Sequence, residues 1–399
     1  MLKRIQLERY AEVLFWGLTT ARKAPFKKKD IVLIQYEPPA LQLAEVLYAG
    51  VLERGWHPVQ RMGLTFGMER DFFLKASEDQ LVFIPPGEKE LYRRIHGRIF
   101  LRAPESLTHL KDVDPKRIGQ VLISRKPLRT LLDRREEKGE YSWTLCSFPT
   151  EAPAKQAGLT LEEYTHQIVK ACYLDKNDPV SEWKRIYREV GGIKKWLNRL
   201  KVKYFRIETA NMDLKLTPGE HRRWKGVSGH NIPSFEIFLS PDWRGTEGTY
   251  YANQPTFRTG NYVEDLRLTF EKGTVTRISA EIGEDFARKQ LAMDPGASRV
   301  GEFSLTDKRF SRIDRFMADT LFDENFGGKH GNCHIALGAS YSDTFAGDPA
   351  QLTKGQKARL GFNDSALHWD LVNTERKTVT AYLKNGKSLV IYEDGLFRC

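Results

Sequence analysis

The sequence predicts an α/β N-terminal domain, a mostly parallel sheet with flanking helices, followed by an α+β, mainly β, C-terminal domain. Three observations lead there. Strand-like and helix-like patterns alternate up to about residue 150, short Gly-punctuated strand patterns dominate after 202, and 399 residues exceed what one hydrophobic core usually holds.

The alternation starts with apolar residues at helical spacing over 5–19, then a strand over 30–35, a helix over 39–54 and a strand over 57–61. It continues with a strand over 81–84, a helix over 89–96, a strand over 98–102, a basic helix over 126–138 and a strand over 142–146. A change of pattern after Phe148-Pro149-Thr150 marks 1–150 as the α/β domain. The stretch 151–201 reads as a helical linker with helices over 161–173 and 179–200. Residues 202–399 form the second domain, with strands over 204–209, 213–216, 234–239, 248–251, 266–271 and 274–280, and helices over 285–293 and 312–322. Asn385-Gly386 between two strand patterns reads as a closing hairpin.

Composition narrows the function classes. With 40% hydrophobic and 29% charged residues the chain is neither disordered nor fibrous. No apolar run reaches the ~18 residues a membrane span needs, and no signal peptide is read. Four cysteines without a CxxC pair fit a reducing, cytoplasmic setting. The formal charge of +11 favours anionic encounters. Part of it lies in a run of Lys184, Arg185, Arg188, Lys194, Lys195, Arg199, Lys201, Lys203 and Arg206 against the single acid Glu189. No nucleic-acid motif accompanies the run, so it reads as a solvated helix face and nucleic acid is not the expected partner. Nor does any Gly-rich phosphate loop occur in 1–150, and no nucleotide is expected there.

The chemistry-bearing residues lie after 230. In an extended segment His368 and Asp370 point to one face, offering a neutral nitrogen and an anionic oxygen to the same point. Upstream, Glu324 and His334 flank a glycine-rich stretch, with Tyr341 seven residues after His334 and His330 inside the stretch. Two more acids stand at strand-like or loop edges, Glu302 in Val300-Gly301-Glu302-Phe303 and Glu236, which between Phe235 and Ile237 needs an arginine or a metal to neutralise it if buried. Four carboxylates and two imidazoles suit two Zn, Co or Mn ions better than one structural zinc, which prefers thiolates and imidazoles. Two such metals point to hydrolysis by a metal-activated water.

Together these segments resemble the thermophilic-type metallo-aminopeptidases, the family of aminopeptidases T and S. The matching pieces are Gly229-His230-Asn231-Ile232-Pro233 leading to Glu236, Gly301-Glu302, Asp323-Glu324-Asn325 with His334-Ile335-Ala336-Leu337-Gly338 and Tyr341, and His368-Trp369-Asp370. The 66 residues from Glu236 to Glu302 are similar to the family interval. The likeness extends to Ser147-Phe148-Pro149-Thr150, Ala154, Asp178-Pro179 and Trp183 in the linker region.

The resemblance implies a homodimeric enzyme that removes N-terminal residues from peptides, with catalysis in the C-terminal domain. Glu236, Glu302, Glu324, His334, His368 and Asp370 would hold two divalent metal ions, Glu302 as the bridge. Tyr341 would donate to the oxyanion, and the general base would be Glu302 or Glu324. Two departures stand out: Phe235 where the family carries a small Gly, and extra residues between Glu324 and His334, so that His330 is an alternative ligand. The competing readings are a dinuclear phosphoesterase or nuclease served by the basic run, and a non-enzymatic basic binding protein with a degenerate metal site.

Overall fold

Leu7, Tyr10, Ala11, Leu14 and Leu18 recur at helical spacing, and in the helix Arg4–Thr20 all are buried. The strand Ile31–Tyr36 instead buries Val32, Leu33 and Ile34 in succession, the pattern of a strand covered on both faces. Such coverage follows from helices joining parallel strands. In this computed structural model, which describes residues 1–399, the sheet is indeed parallel. Its order is His57–Met62, Ile31–Tyr36, Gly97–Arg102, Ser142–Ser147 and Asn231–Ile232.

The chain divides into two compact units, one of Met1–Arg185 with Val227–Ser234, the other of Ile186–Gly226 with Phe235–Cys399. The first unit thus takes its fifth strand from far along the sequence. Gly229, just before that strand, has φ +90°, and a Cβ there would meet the Gly17 carbonyl oxygen at 2.3 Å. Only glycine lets the helix Arg4–Thr20 lie this close. The Ile232–Pro233 peptide that follows is cis.

The second unit is mainly antiparallel. One sheet of eight strands runs from Thr274–Ser279 at one edge to Leu396–Phe397 at the other. A second, of five strands, has the order His368–Asn373, Asn332–Gly338, Val300–Thr306, Glu236–Leu239, Lys225–Gly226. Every residue of Val300–Thr306 and of Asn332–Gly338 is buried. The closing hairpin forms as expected, Thr378–Leu383 pairing with Ser388–Glu393 around Asn385 and Gly386.

Two departures from the sequence expectation have a clear local cause. Residues 81–84 are no strand: Glu78–Val82 is a short helix, started by a capping box in which Ser77 and Gln80 satisfy each other's backbone amides. That local signal outweighs the apolar run. The helix expected over 312–322 shrinks to Thr320–Asp323, because Asp323 accepts from the amides of Met317 and Asp319 and holds the preceding residues in a loop.

Candidate metal centre

Strand register explains how residues far apart in sequence meet. Opposed residues of antiparallel strands project to the same face. Glu302 pairs with Ala336, which pairs with Asp370, and Gly338 pairs with His368. One row over, Ser304 pairs with His334 on one side and Phe238 on the other, with Glu236 two residues before Phe238. Glu236, Glu302, His334, His368 and Asp370 therefore share one face of four adjoining strands. Ala336, Gly338 and Ser304 on the same face are small and leave it room.

The atoms converge accordingly. Ligand atoms of Glu236, Glu302 and His334 all lie within 4.8 Å of one another. His334 Nε2 is 3.3 Å from Glu302 Oε1, 3.4 Å from Glu236 Oε2 and 3.9 Å from Asp370 Oδ1. His368 Nε2 is 3.4 Å from Asp370 Oδ1 and 3.9 Å from Glu302 Oε2. The two oxygens of Glu302 are thus divided between the two imidazoles. Ser304 Oγ donates to Glu236 Oε2 at 3.4 Å.

His368 Nδ1 lies 3.0 Å from the Ala339 carbonyl oxygen. A carbonyl only accepts, so Nδ1 carries a proton and Nε2 is the nitrogen turned to Glu302 and Asp370. Burial favours the neutral ring, but Asp370 and then Glu302 raise the His368 pKa, so these carboxylates call for a positive charge at Nε2, a proton or a cation in its place. Glu324, at the C-terminal cap of Thr320–Asp323, is also buried, and its carboxyl pKa is pushed well up by burial and then by Asp370, Glu236 and Glu302. Burial opposes the charge on Asp370 as well, yet the neighbouring His368, then His334 and Arg258, hold it down at about 2. For His334 burial favours the neutral ring, but Glu302, Glu236 and Asp370 together raise its pKa to about 9. So dense a set of buried acids and imidazoles fits divalent cations by its donor chemistry.

Tyr341 lies in the loop after the His334 strand. Its ring centre is 4.8 Å from that of His368 and 6.1 Å from that of Phe238, and its amide donates to Ser240 Oγ. Tyr341 is 41% exposed overall, but desolvation at the hydroxyl, then Glu302, Asp370, Glu236 and Glu324, push its pKa well up, so it stays a neutral donor. His330 is elsewhere, among Lys329, Lys377, Asp394 and Lys308. Phe235 is fully buried and its amide donates to Asn325 Oδ1 at 2.6 Å, which ties the Glu236 strand to the residue after Glu324.

Two participants are new relative to the sequence reading. Ser304 was accessible to it, since a strand places Ser304 on the same face as Glu302. Arg258, whose Nη1 donates to the His368 carbonyl at 2.8 Å, had no such signal, because a separate hairpin, Thr256–Arg258 with Asn261–Val263, brings it in.

A buried face of carboxylates and imidazoles on an antiparallel sheet is the donor set of a metal-dependent hydrolase. The chain belongs to the thermophilic metalloprotease family M29, whose sequence model matches residues 3–397. It is similar to aminopeptidase 2 of Geobacillus stearothermophilus, 30% identical over 306 residues that cover 72% of each chain. Aminopeptidase T of Thermus aquaticus is 29% identical over the same shares. The solved structure of wild-type AmpT from Thermus thermophilus superposes with a TM-score of 0.80 over 99% of both chains at 21% identity, a likeness of fold.

Proposed function

We propose that this chain is an aminopeptidase that removes N-terminal residues from peptides at a two-cation centre. Glu236, Glu302, Glu324, His334, His368 and Asp370 would hold the ions. The observation that carries the reading is Glu302, whose oxygens face His334 at 3.3 Å and His368 at 3.9 Å, the disposition of a carboxylate shared by two sites. Bound divalent cations of the Zn, Co or Mn type would supply Lewis acidity toward the scissile carbonyl and a water acidic enough to ionise near neutral pH.

The remaining work falls to side chains. With the oxygens of Glu302 facing both imidazoles, Glu324 would, besides helping to hold the ions, accept the attacking water's proton and pass it to the leaving amine. Tyr341 donates from its hydroxyl to the oxygen of the tetrahedral intermediate, a task its high pKa keeps it able to do across neutral pH. The assembly is read as a homodimer on the family resemblance. The cytoplasm as its location rests on four free cysteines, three of them buried, and on no helix being long and apolar enough to cross a membrane.

The test is hydrolysis of aminoacyl p-nitroanilides after chelation and return of cobalt, zinc or manganese. Expected are chelator-sensitive release from free-amine substrates and none from their N-acetylated forms. Equal cleavage of both forms would defeat the exopeptidase reading. Hydrolysis of phosphodiesters in its place would favour the phosphoesterase alternative.

A further inference from the structure

The basic run that the metal centre does not use has a geometry that the linear sequence hides. Five of its nine cations lie on one helix, Pro179–Leu197, and of these Lys194 turns inward to donate to the Gly226 carbonyl at 2.7 Å. At 100° per residue, Lys184, Arg188 and Lys195 fall within about 40° of one another, with Gly191 in the same row. Arg199 follows in the closing turn, where its amide bonds to the Trp196 carbonyl. Trp183, Ile186, Val190, Ile193 and Leu197 occupy the opposite side, and all are buried. Lys184, Arg188, Lys195 and Arg199 are exposed. Arg185, by contrast, spends its charge on Glu182 at 3.1 Å.

Two features of this row weaken the helix. Lys184 with Arg188, and Lys195 with Arg199, set like charges one turn apart, which repel. Gly191 and Gly192 stand in the helix interior, where glycine is unfavourable. Packing does not require them, since a Cβ at either would meet nothing within 4 Å, and neither has a positive φ. Agreement of two locally costly choices on one exposed row points to a partner from outside the chain.

We infer that this helix binds single-stranded nucleic acid along its exposed basic row. The cation pairs are spaced by about 6 Å along the axis, and the bare backbone at Gly191-Gly192 lets a phosphodiester chain pass close to the helix. Tyr187, 43% exposed with Lys194 Nζ 5.5 Å from its ring centre, and Trp196, half-buried, border the row on either side as aromatic surfaces that bases could stack on. A membrane surface fits less well, because the apolar side of the helix is buried. An acidic peptide would leave the aromatic borders unused.

The test is fluorescence anisotropy of a fluorescein-labelled twenty-nucleotide oligothymidylate with the full chain across a salt series. Four phosphate contacts give an expected slope of log K against log salt of about −3. The triple variant Lys184→Ala/Arg188→Ala/Lys195→Ala is expected to weaken binding at least about tenfold and to flatten the slope by about 2. Gly191→Leu is expected to weaken it with no change of charge. Aminopeptidase turnover and circular dichroism should stay at wild-type values in these variants, which keeps misfolding apart from lost contact. Absence of binding at low salt, or binding indifferent to the triple variant, would overturn the inference. So would polyglutamate or phosphatidylserine vesicles competing as well as the oligonucleotide.

Discussion

Glu302 is the residue on which the chemistry turns, because its two oxygens are divided between the imidazoles, Oε1 toward His334 and Oε2 toward His368. Glu302→Gln keeps the shape but removes the charge, and turnover should fall by at least ~10³-fold, about 4 kcal/mol of barrier. Near-normal kcat in the folded variant would show that the carboxylate is not needed. Tyr341→Phe deletes only a hydroxyl that lies at the edge of the cluster. Its expected effect is a drop in kcat of about 10² to 10³ with KM little changed, as for loss of one oxyanion donor. An unchanged kcat would remove Tyr341 from the reaction. At this scale the sequence was informative wherever a motif was short and strand-bound: His368 and Asp370 project together because alternation forces it, and the structure places them so. Arg258 was illegible for the converse reason, as nothing local links it to a strand 110 residues away.

Among elements, the strands that carry the ligands depend on close backbone approach. Gly338 has φ +104°, and a Cβ there would meet the Leu367 carbonyl oxygen at 2.2 Å, directly before the His368 strand. Gly338→Ala should cost about 1–3 kcal/mol or more in unfolding free energy, because strain and overlap act together. Chemical denaturation reads this directly, and a change under about 0.5 kcal/mol would contradict it. In the first unit Arg22 Nη1 donates to Asp30 Oδ2 at 2.8 Å with both side chains nearly buried. Burial works to raise the Asp30 pKa, but the Lys27 amide, Arg22 and His96 lower it below its ordinary 3.8. The folded state thus binds its proton more weakly than the unfolded chain. The stability this supplies is present above pH ~3.8 and is lost as pH falls through the folded value. Arg22→Met should therefore cost about 3–5 kcal/mol at neutral pH, and less in acid. A cost independent of pH would refute the linkage. Helices with strong apolar spacing were legible in the sequence, as in Arg4–Thr20. The short helix Glu78–Val82 was not, because four apolar residues in succession look alike in a strand and in a helix end, and only the cap separates them.

For the whole molecule, the sequence shows two kinds of domain because period-2 and period-3.6 patterns separate along the chain. It does not show that Val227–Ser234 belongs with the first unit, since a two-residue strand has too few residues to display a period. The order of the eight-stranded sheet is likewise set by pairings between distant segments that no local pattern reports. Three buried carboxylates and the half-buried Asp370 held together without cations oppose folding, so ions that bind only the native state should stabilise it. Chelation is expected to lower the melting temperature and returned cobalt or zinc to restore it, the gain growing with free ion as about 4 kcal/mol at a thousandfold excess over Kd. A melting temperature indifferent to chelator would count against a native site.

The central claim is a pair of cations shared through Glu302, and metal stoichiometry tests it most directly. Elemental analysis of the purified chain after saturation and gel filtration should give about two ions per chain, and the Glu302→Gln variant should give one or fewer. No retained ion in the wild-type chain with cobalt, zinc or manganese, or two ions still retained by the variant, would contradict the account.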